Sequence, residues 1–451
     1  MKIIIVGDGK VGATLTEHLS KEGHDVVVID QDPQVVEEMV NQYDVMGISG
    51  NGASYSVLME AGANKANLLI AATSSDELNI LSCMVSKKIG ARHTIARVRN
   101  PEYSQQLVFL REELGLSMVV NPEMETATEI CRALRFPSAI NMETFARGRV
   151  ELAEIKVQPD SILNGQPLFS LPDRLRVKIL VCAVQRDGEI VIPDGNFVIQ
   201  TGDKIHVTAS HAELAAFFKV MGIYKQKARS VLIIGGGKIA HYLALQLLDA
   251  GMQVKIIEHD RQRCHELSDW LPKATVIHGD GTDQSLLLQE GIDTVDAVVS
   301  LTGMDEENIL ISMYAQTQKA DKVVTKINRL SFLDMLGNMG LDTIVSPKTI
   351  AANRIIRYVR AMHNSDGSSV QTLYKLVGGQ VEALEFVVSE NAKFTGIPLK
   401  DLKTKQNVLI ACIIRGGKPI IPQGSDTMEP RDAVIVVTAN QYLRDLSDIL
   451  E

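Results

Sequence analysis

A cluster of glycines near the amino terminus is the first place where this sequence could do chemistry. Gly7, Gly9 and Gly12 form the pattern GxGxxG, directly after an apolar run and at the start of a helical pattern. In such a loop the first glycine permits a sharp turn, the second lets the backbone approach a pyrophosphate, and the third lets the helix pack closely against the strand. Asp30 ends the next apolar run, where its carboxylate could accept hydrogen bonds from adenosine ribose hydroxyls and would disfavour a 2′-phosphate. The pattern therefore predicts a site for a dinucleotide or adenine nucleotide, with NAD preferred over NADP; a glycine turn kept only for packing is the alternative.

A second loop of the same kind lies in the other half of the chain. Gly235 and Gly237 are followed by Ala240, and Glu258 stands at the position of the ribose-binding acid. Alanine is an accepted variant of the third glycine. We therefore predict a second nucleotide site, against the alternative of a degenerate copy retained for architecture.

Further polar side chains follow the predicted strands and could complete these sites. Lys10 and Lys238 follow the second glycine of each loop and could pair with phosphate oxygens, or could simply be exposed at a helix start. Hydroxyl groups stand at the carboxyl ends of the predicted fourth strands, where such sheets place ligands, on Thr73, Ser74 and Thr302. Cationic side chains end the fifth strands and could reach a terminal phosphate or a neighbouring subunit, or could be structural: Arg97, Arg99 and Lys326.

The elements that must position these residues alternate between strands and helices. Apolar runs in the first half predict buried strands over Ile3–Val6, Val26–Ile29, Leu68–Ala72 and Thr94–Val98. Helical patterns between them start near Val11, Pro33, Glu77 and Pro101. This alternation is typical of a parallel, doubly wound sheet. The β-runs that follow predict a small α+β module with strands over Glu151–Val157, Val177–Val184 and Lys204–Thr208 and one clear helix over Ala212–Val220.

The whole arrangement occurs twice, so the chain consists of two copies of one unit. Gly7 and Gly235 are 228 residues apart, as are Asp30 and Glu258, and other matching motifs have nearly the same offset. We therefore predict an α/β protein with two Rossmann-like, doubly wound parallel sheet domains, each followed by a small α+β module. The predicted boundaries are 1–123, 137–221, 230–348 and 368–451, with Tyr224–Arg229 as a linker.

Composition and missing motifs exclude several classes of function. The 451 residues carry a net charge of −9 and only 4% aromatic residues, which argues against a basic nucleic-acid surface and a base-stacking platform. The five cysteines form no CxxC pair and the ten histidines form no motif; His18 and His241 are expected on helix surfaces. Phosphate-loop, GxSxG and HExxH patterns are not found. No apolar stretch is long enough to span a membrane, so a membrane role would need a partner.

The duplicated layout resembles the RCK (regulator of K⁺ conductance) family, and within it the regulatory subunits of Trk potassium uptake systems. The residues that carry the resemblance in the first copy are KIIIVGDGKVG at Lys2, GNGAS at Gly50 and AATSSDELN at Ala71. The second copy repeats them as GGGKIA, GDGTD and LTGMDEEN, and GQPL and GIPL mark the two small modules. The resemblance covers essentially the whole chain.

The resemblance implies particular residues for each nucleotide site. For the first site they are Gly7, Asp8, Gly9, Lys10, Val11, Gly12, Asp30, Thr73, Ser74, Arg97 and Arg99. For the second site they are Gly235, Gly236, Gly237, Lys238, Ile239, Glu258, Thr302 and Lys326. Ala240 and Glu258 depart from the first copy, so occupancy and nucleotide choice at the second site stay open.

The resemblance also implies a regulatory role and partners. Such proteins are not enzymes: they form rings, here a homotetramer, on the cytoplasmic face of a membrane-embedded potassium-transporting subunit of the TrkH/TrkG type. NAD(H), and also ATP or ADP, would change the shape of the ring, with no nucleic-acid binding and no direct membrane insertion. Two alternatives remain, an NAD-dependent oxidoreductase and a nucleotide-responsive transcriptional regulator, although neither a placed acid/base group nor a helix-turn-helix is visible.

Overall fold

The computed structural model describes most of the chain, and all helices, strands and contacts named here lie in that part. The described residues are 1–104, 111–135, 142–145, 150–222, 228–329, 336, 339–341, 343–365, 370–376, 381–390, 392–439, 443 and 445–450. Most of the predicted linker Tyr224–Arg229 lies outside them, as do the predicted first residues of the two small domains, 137 and 368.

The first copy begins with a six-stranded parallel sheet. Its strands are β1 (Lys2–Val6), β2 (Asp25–Asp30), β3 (Met46–Ser49), β4 (Leu68–Ala71), β5 (His93–Arg97) and β6 (Met118–Val120). They lie in the order β3-β2-β1-β4-β5-β6, with every neighbouring pair parallel. The central strands are buried on both faces because helices cover the sheet on both sides, which explains their continuous apolar runs. The predicted doubly wound sheet is confirmed; the short edge strand β3, which is largely exposed, was not predicted.

Helices connect these strands. They are α1 (Lys10–Lys21), α2 (Pro33–Gln42), α3 (Tyr55–Glu60), α4 (Asp76–Ile89), α5 (Pro101–Ser104) and α6 (Pro122–Arg135), with a 3-10 turn at Ala63–Lys65. Side-chain capping fixes the starts of α2 and α4: the Asp32 carboxylate accepts from the backbone N–H of Gln34, and the Ser75 hydroxyl accepts from the N–H of Leu78. Helix α6 was not predicted.

The first small module is an antiparallel sheet with two helices. Its strands are β7 (Met142–Phe145), β8 (Val150–Lys156), β9 (Leu180–Arg186), β10 (Glu189–Val191) and β11 (Lys204–Ala209), in the order β10-β9-β11-β8-β7. Its helices are α7 (Leu171–Leu175) and α8 (His211–Val220). The predicted α+β class is confirmed, although β9 starts three residues later than the apolar run from Val177 suggested.

The second copy repeats the parallel sheet. Its strands are β12 (Ser230–Ile234), β13 (Gln253–Glu258), β14 (Thr275–His278), β15 (Ala297–Ser300), β16 (Lys322–Lys326) and β17 (Ile344–Val345), in the order β14-β13-β12-β15-β16-β17. Its helices are α9 (Lys238–Asp249), α10 (Arg261–Trp270), α11 (Gln284–Gln289), α12 (Asp305–Thr317) and α13 (Pro347–Ser365). The sheet order matches that of the first copy, as the repeat predicted.

The second small module has a sheet with the same strand arrangement as the first. Its strands are β18 (Val370–Leu376), β19 (Val381–Val387), β20 (Val408–Arg415), β21 (Lys418–Ile420) and β22 (Ala433–Ala439), in the order β18-β19-β22-β20-β21. Short 3-10 turns stand at Leu399–Asp401 and Leu446–Ile449.

The chain forms two compact units that each combine both copies. Residues 1–134 and 228–356, with both parallel sheets, form the first unit, and residues 135–227 and 357–451, with both small modules, form the second. In the first unit, α6 belongs to the first copy but packs on the parallel sheet of the second copy. Its residues Ala127, Ile130 and Leu134 share a core cluster with Val231 and Ile233. In the second unit the two modules share a cluster that includes Val150, Leu152, Ala383 and Val437. Burial of apolar surface between the copies therefore holds each unit together.

Candidate nucleotide sites

The first glycine loop has the local geometry that its pattern predicts. Gly7 has a φ of +85°, and a Cβ there would lie 2.6 Å from Cγ2 of Thr73, so only glycine fits. A Cβ on Gly12 would lie 2.1 Å from the carbonyl oxygen of Gly7, because the helix packs directly on the turn. Gly9 differs: no described atom lies within 4 Å of its Cβ position. The second glycine thus leaves open space in front of the first turn of α1, whose N–H groups Gly9 cannot cap with a side chain.

That open space belongs to a cavity of about 400 Å³ at the carboxyl ends of the strands. Nine of the predicted first-site residues line it: Gly7, Gly9, Lys10, Val11, Asp30, Thr73, Ser74, Arg97 and Arg99. Seven further residues line the cavity and were not predicted: Val6, Ile29, Gln31, Gly50, Gly52, Ala72 and Leu78. The repeated GNGAS motif was an available signal for Gly50 and Gly52.

Asp30 is fixed at the edge of this cavity by backbone donors. Its Oδ2 accepts from the N–H of Asp8 at 2.8 Å, and its Oδ1 accepts from the N–H of Asp32 at 3.0 Å. A carboxylate oxygen has more than one lone pair, so both can also accept from hydroxyl groups of a ligand. The side chain is half-buried, which leaves it accessible from the cavity.

Asp8, another predicted site residue, is not part of the cavity lining. Its side chain is 4% exposed, and its Oδ1 accepts from the hydroxyl of Thr16 on α1 at 2.9 Å. Burial, together with the negative charge of Asp30, raises the pKa of Asp8 to about 6 against the opposing effect of the Thr16 hydrogen bond. Gly12 likewise lies outside the lining and packs on the loop.

Two residues with no predicted role, Asp76 and Asn79, hold the rest of the site in place. The Oδ1 of Asn79 accepts from the N–H and the hydroxyl of Thr73, at 2.8 and 2.7 Å, while its Nδ2 donates to the carbonyl of Arg97 at 2.9 Å. Asp76 accepts from the N–H of Arg99 at 2.8 Å. Asp76 and Asn79 belong to the DELN motif, whose recurrence as DEEN was the signal that could have pointed to them.

The two arginines bring positive charge to the cavity. Arg97 donates from its guanidinium to the carbonyl of Thr73 at 3.3 Å, and Arg99 donates to the carbonyl of Ser74. Burial, and then the neighbouring Arg99, lowers the pKa of Arg97. Because Arg97 is partly desolvated beside a like charge, an anion in the cavity would be stabilised there.

The second glycine loop repeats the first with a different acid. Gly235 has a φ of +98°, Ala240 is fully buried, and no described atom lies within 4 Å of the Cβ position of Gly237. Glu258 accepts from the N–H of Gly236 through Oε2 at 2.6 Å. The longer glutamate is 7% exposed.

The remaining second-site residues also assemble at the end of their sheet. Lys238 is exposed at the start of α9, and Ile239 is buried behind it. Lys326 donates to the carbonyl of Thr302 at 2.6 Å. Burial lowers the pKa of Lys326, and Lys10 of the first copy lowers it further, whereas Asp305 opposes both effects.

His241 contradicts the expectation of a surface position. It is 7% exposed, and its ring stands edge-on to the rings of Tyr242 and Trp270, with centroids 5.5 and 5.1 Å away. The histidine occupies the place of Ala13 in the first copy, and in the second copy this face of the helix is covered by Trp270. Burial lowers the pKa of His241, and so does the charge of Arg263.

Neither a metal-binding cluster nor a membrane-spanning helix is found among the described residues. In that part of the chain no three His, Cys, Asp or Glu side chains are placed to hold a metal ion. Among the described helices, none has both the length and the apolar character that a bilayer crossing requires.

Comparison with known proteins places both copies in one family. The TrkA-N domain matches residues 3–122 and 231–347, and the TrkA-C domain matches residues 152–222 and 383–451. Trk system potassium uptake protein TrkA homolog 1 of Methanosarcina mazei is 35% identical over 445 residues, covering 97% of each chain. Trk system potassium uptake protein TrkA of Halomonas elongata is 32% identical over 455 residues, covering 100% of this chain and 99% of its own.

Solved structures show the same fold at lower sequence identity. The GsuK RCK domain is 18% identical, with a TM-score of 0.63, over 97% of this chain and 92% of its own. The GsuK channel bound to NAD is 19% identical with the same TM-score, over 97% of this chain and 77% of its own. At these identities the likeness concerns the fold alone. From the domain matches and the full-length relatives together, the chain belongs to the TrkA family.

Proposed function

We propose that this protein is a peripheral regulatory subunit in the cytoplasm that binds NAD(H), ATP or ADP and controls potassium uptake by a membrane protein. The observation that carries the proposal is the first-copy cavity. It joins an open glycine loop and the carboxylate of Asp30 to two cationic side chains, Arg97 and Arg99. The relatives that match over their full length are named as potassium uptake proteins of the Trk system.

The residues of the first cavity fit such a ligand. Gly9 leaves room for a pyrophosphate beside the uncapped start of α1, with Lys10 next to it. Asp30 would accept hydrogen bonds from the ribose hydroxyls of the adenosine. Arg97 and Arg99 would face the phosphate end, where NAD(H), ATP and ADP differ.

The second copy would offer an equivalent site with altered details. Gly235, Gly236, Gly237, Lys238 and Ile239 would form its loop, with Glu258, Thr302 and Lys326 around it. Since Glu258 is buried whereas Asp30 is half-buried and accessible from its cavity, we propose that this site is weaker than the first.

A ligand can control the protein if the phosphate end of that ligand makes different contacts in two arrangements of the protein. A ligand shifts an equilibrium only by the difference between its affinities for the two states. Different contacts of NAD(H), ATP and ADP with Arg97 and Arg99 would therefore favour different shapes of a homotetrameric ring docked on a TrkH/TrkG-like subunit. This role needs no catalytic step. We also propose that the chain is divided into four domains, 1–123, 137–221, 230–348 and 368–451.

Co-purification tests the partner. The full chain should co-purify with the membrane potassium-transporting subunit of its own organism, and the free protein should have the mass of a tetramer. A monomer that does not bind the membrane subunit would contradict the proposal.

Calorimetry tests the site. Asp30→Ala should lower the affinity for ATP and NADH by about tenfold or more, because hydrogen bonds to a charged group contribute about 1.5–3 kcal/mol each. Asp44→Ala is the matched control, since exposed Asp44 precedes β3 at the opposite end of the strands. If Asp30→Ala binds both ligands as the parent does, the assignment of the first site is wrong.

A further inference from the structure

A partly buried hydrogen bond connects the second glycine-loop helix with the first site. Tyr242 lies on α9, the helix that starts at the second loop, and its hydroxyl donates to the carbonyl of Arg99 at 3.2 Å. The same hydroxyl accepts from Nδ2 of Asn121 at 3.0 Å, and the Oδ1 of Asn121 accepts from the N–H of Met124 in α6. Tyr242 is 6% and Asn121 is 1% exposed, so water does not compete readily for these bonds. The backbone of a cavity-lining arginine is thus held by a helix of the other copy.

The contacts continue from Tyr242 to the second loop itself. The ring of His241 packs edge-on against Tyr242 on one side and Trp270 on the other. The guanidinium of Arg263 lies 5.0 Å from the centre of the Trp270 ring, and its Nε donates to the carbonyl of Gly236 at 2.9 Å. A continuous series of packed and hydrogen-bonded side chains therefore runs from Arg99 to the second glycine loop.

The first copy does not carry the same side chains. At the positions matched by the 228-residue offset, His241, Tyr242, Arg263 and Trp270 correspond to Ala13, Thr14, Val35 and Gln42. The hydroxyl of Thr14 donates to the carbonyl of Lys10 in its own helix, at 2.9 Å. The connection consequently runs from the second loop to the first site and has no counterpart in the reverse direction among these positions.

We infer that Tyr242 is a positioning residue for Arg99 and couples the first nucleotide site to the second glycine loop. A ligand that draws Arg99 towards its phosphates moves the carbonyl that Tyr242 holds, and the displacement reaches Trp270 through His241. Coupling of this kind is reciprocal for binding free energies, so occupancy of the second loop changes the first-site affinity by the same factor. The inference rests on the proposed binding of nucleotides at the glycine loops.

Trp270 supplies the readout because it is the only tryptophan of the chain. The experiment uses the full chain with the second loop blocked by Gly237→Val. Gly237 has an extended backbone that valine can adopt, with φ −66° and ψ −172°, and its Cβ position is open, so the added side chain fills ligand space without clashing. In this variant ATP should bind at the first site alone, as calorimetry records, and should still change the emission of Trp270.

Tyr242→Phe in the same background tests the connection. It removes both hydrogen bonds but keeps the ring, so the ATP-induced change of Trp270 emission should disappear. First-site affinity should fall about two- to tenfold, the range expected for one hydrogen bond. Gln246→Ala is the control: Gln246 lies on the same helix and donates to Thr128 of the first copy at 3.1 Å, but it touches neither site, so the emission change should survive.

Each result decides one question. The inference is overturned if ATP binds to Gly237→Val without changing Trp270 emission, if Tyr242→Phe keeps the full change, or if Gln246→Ala removes it as well. Failure of the proposed function looks different, since the parent protein would then show no heat of ATP binding at all, and the inference would fall with it.

Discussion

Asp8 gives the first copy a buried carboxylate whose protonation should appear in the stability of the protein. The side chain is 4% exposed, and its Oδ2 has no hydrogen-bond partner among the described residues. Burial and the charge of Asp30 raise the pKa of Asp8 to about 6. The second copy has Gly236 at this position, so the effect is confined to the first site. The perturbation that isolates it is Asp8→Asn, which removes the charge and can still accept from Thr16.

The size and the sign of the effect on the free energy of unfolding follow from the difference between the pKa of Asp8 in the folded state and in the unfolded state. An unfolded aspartate titrates near a pKa of about 3.9, and each pKa unit corresponds to about 1.4 kcal/mol, so the charged form of Asp8 costs about 3 kcal/mol in the folded protein. Because the folded pKa is raised, the folded state binds the extra proton between about pH 4 and 6. The parent therefore loses this stability as the pH rises through that window, and the loss is complete above about pH 7. Asp8→Asn never carries the charge and avoids the loss.

Urea denaturation of the parent and of Asp8→Asn across this range measures the effect as a difference. The free energy of unfolding of the variant relative to the parent should rise by about 2 kcal/mol between about pH 4.5 and about pH 8, because part of the total of about 3 kcal/mol is already lost at the lower pH. Asparagine also places an amide at the position of Oδ2, but that contribution does not depend on pH. Asp44→Asn, at an exposed position, controls for the loss of one charge. A difference that stays constant with pH, or falls, would refute the reasoning.

Further measurements test the first glycine loop, the role of Arg97 and the oxidoreductase alternative. Gly7→Ala should lower the free energy of unfolding by about 2–4 kcal/mol, because it combines a left-handed backbone with a Cβ that meets Thr73. Gly9→Val should keep the urea midpoint and lose the part of the heat of ATP binding that comes from the first site. Arg97→Gln should weaken ATP about tenfold but leave adenosine binding nearly unchanged in calorimetry, since charge-assisted contacts to phosphate are what it removes; equal losses for both ligands would contradict this. NADH mixed with the protein and a panel of carbonyl compounds should keep its absorbance, and any turnover above the rate without protein would favour the oxidoreductase alternative.

The fold could be predicted to a large extent because its signals are local. The runs Ile3–Val6 and Val26–Ile29 are continuously apolar since both faces of a central parallel strand are covered, and such a run is visible in the sequence. The edge strand Met46–Ser49 was missed because an exposed edge needs no apolar run. The helix Pro122–Arg135 was missed as an element, and nothing in its local pattern shows that it packs on the sheet of the other copy.

Part of the candidate site could likewise be predicted from local sequence, whereas the rest depends on contacts between residues that are distant in the chain. The glycines of both loops were identifiable since a positive φ and a close approach require glycine at fixed spacings. The roles of Asp76 and Asn79 were not identifiable, because their partners Arg99 and Arg97 come 23 and 18 residues later in the chain. Repetition of a motif shows that residues recur without showing which groups they contact.

The sequence by itself determined that this protein has two copies of a glycine-loop sheet and a small module, because backbone geometry and burial of a strand leave signals within a few residues. Only the tertiary structure decided that Asp8 is buried with a raised pKa, that His241 is inside, and that Tyr242 reaches Arg99 across 143 residues of sequence. The first two features depend on packing within one copy, and the third depends on which surfaces of the two copies meet. Desolvation and hydrogen bonding are set by neighbours that folding brings together from distant parts of the chain.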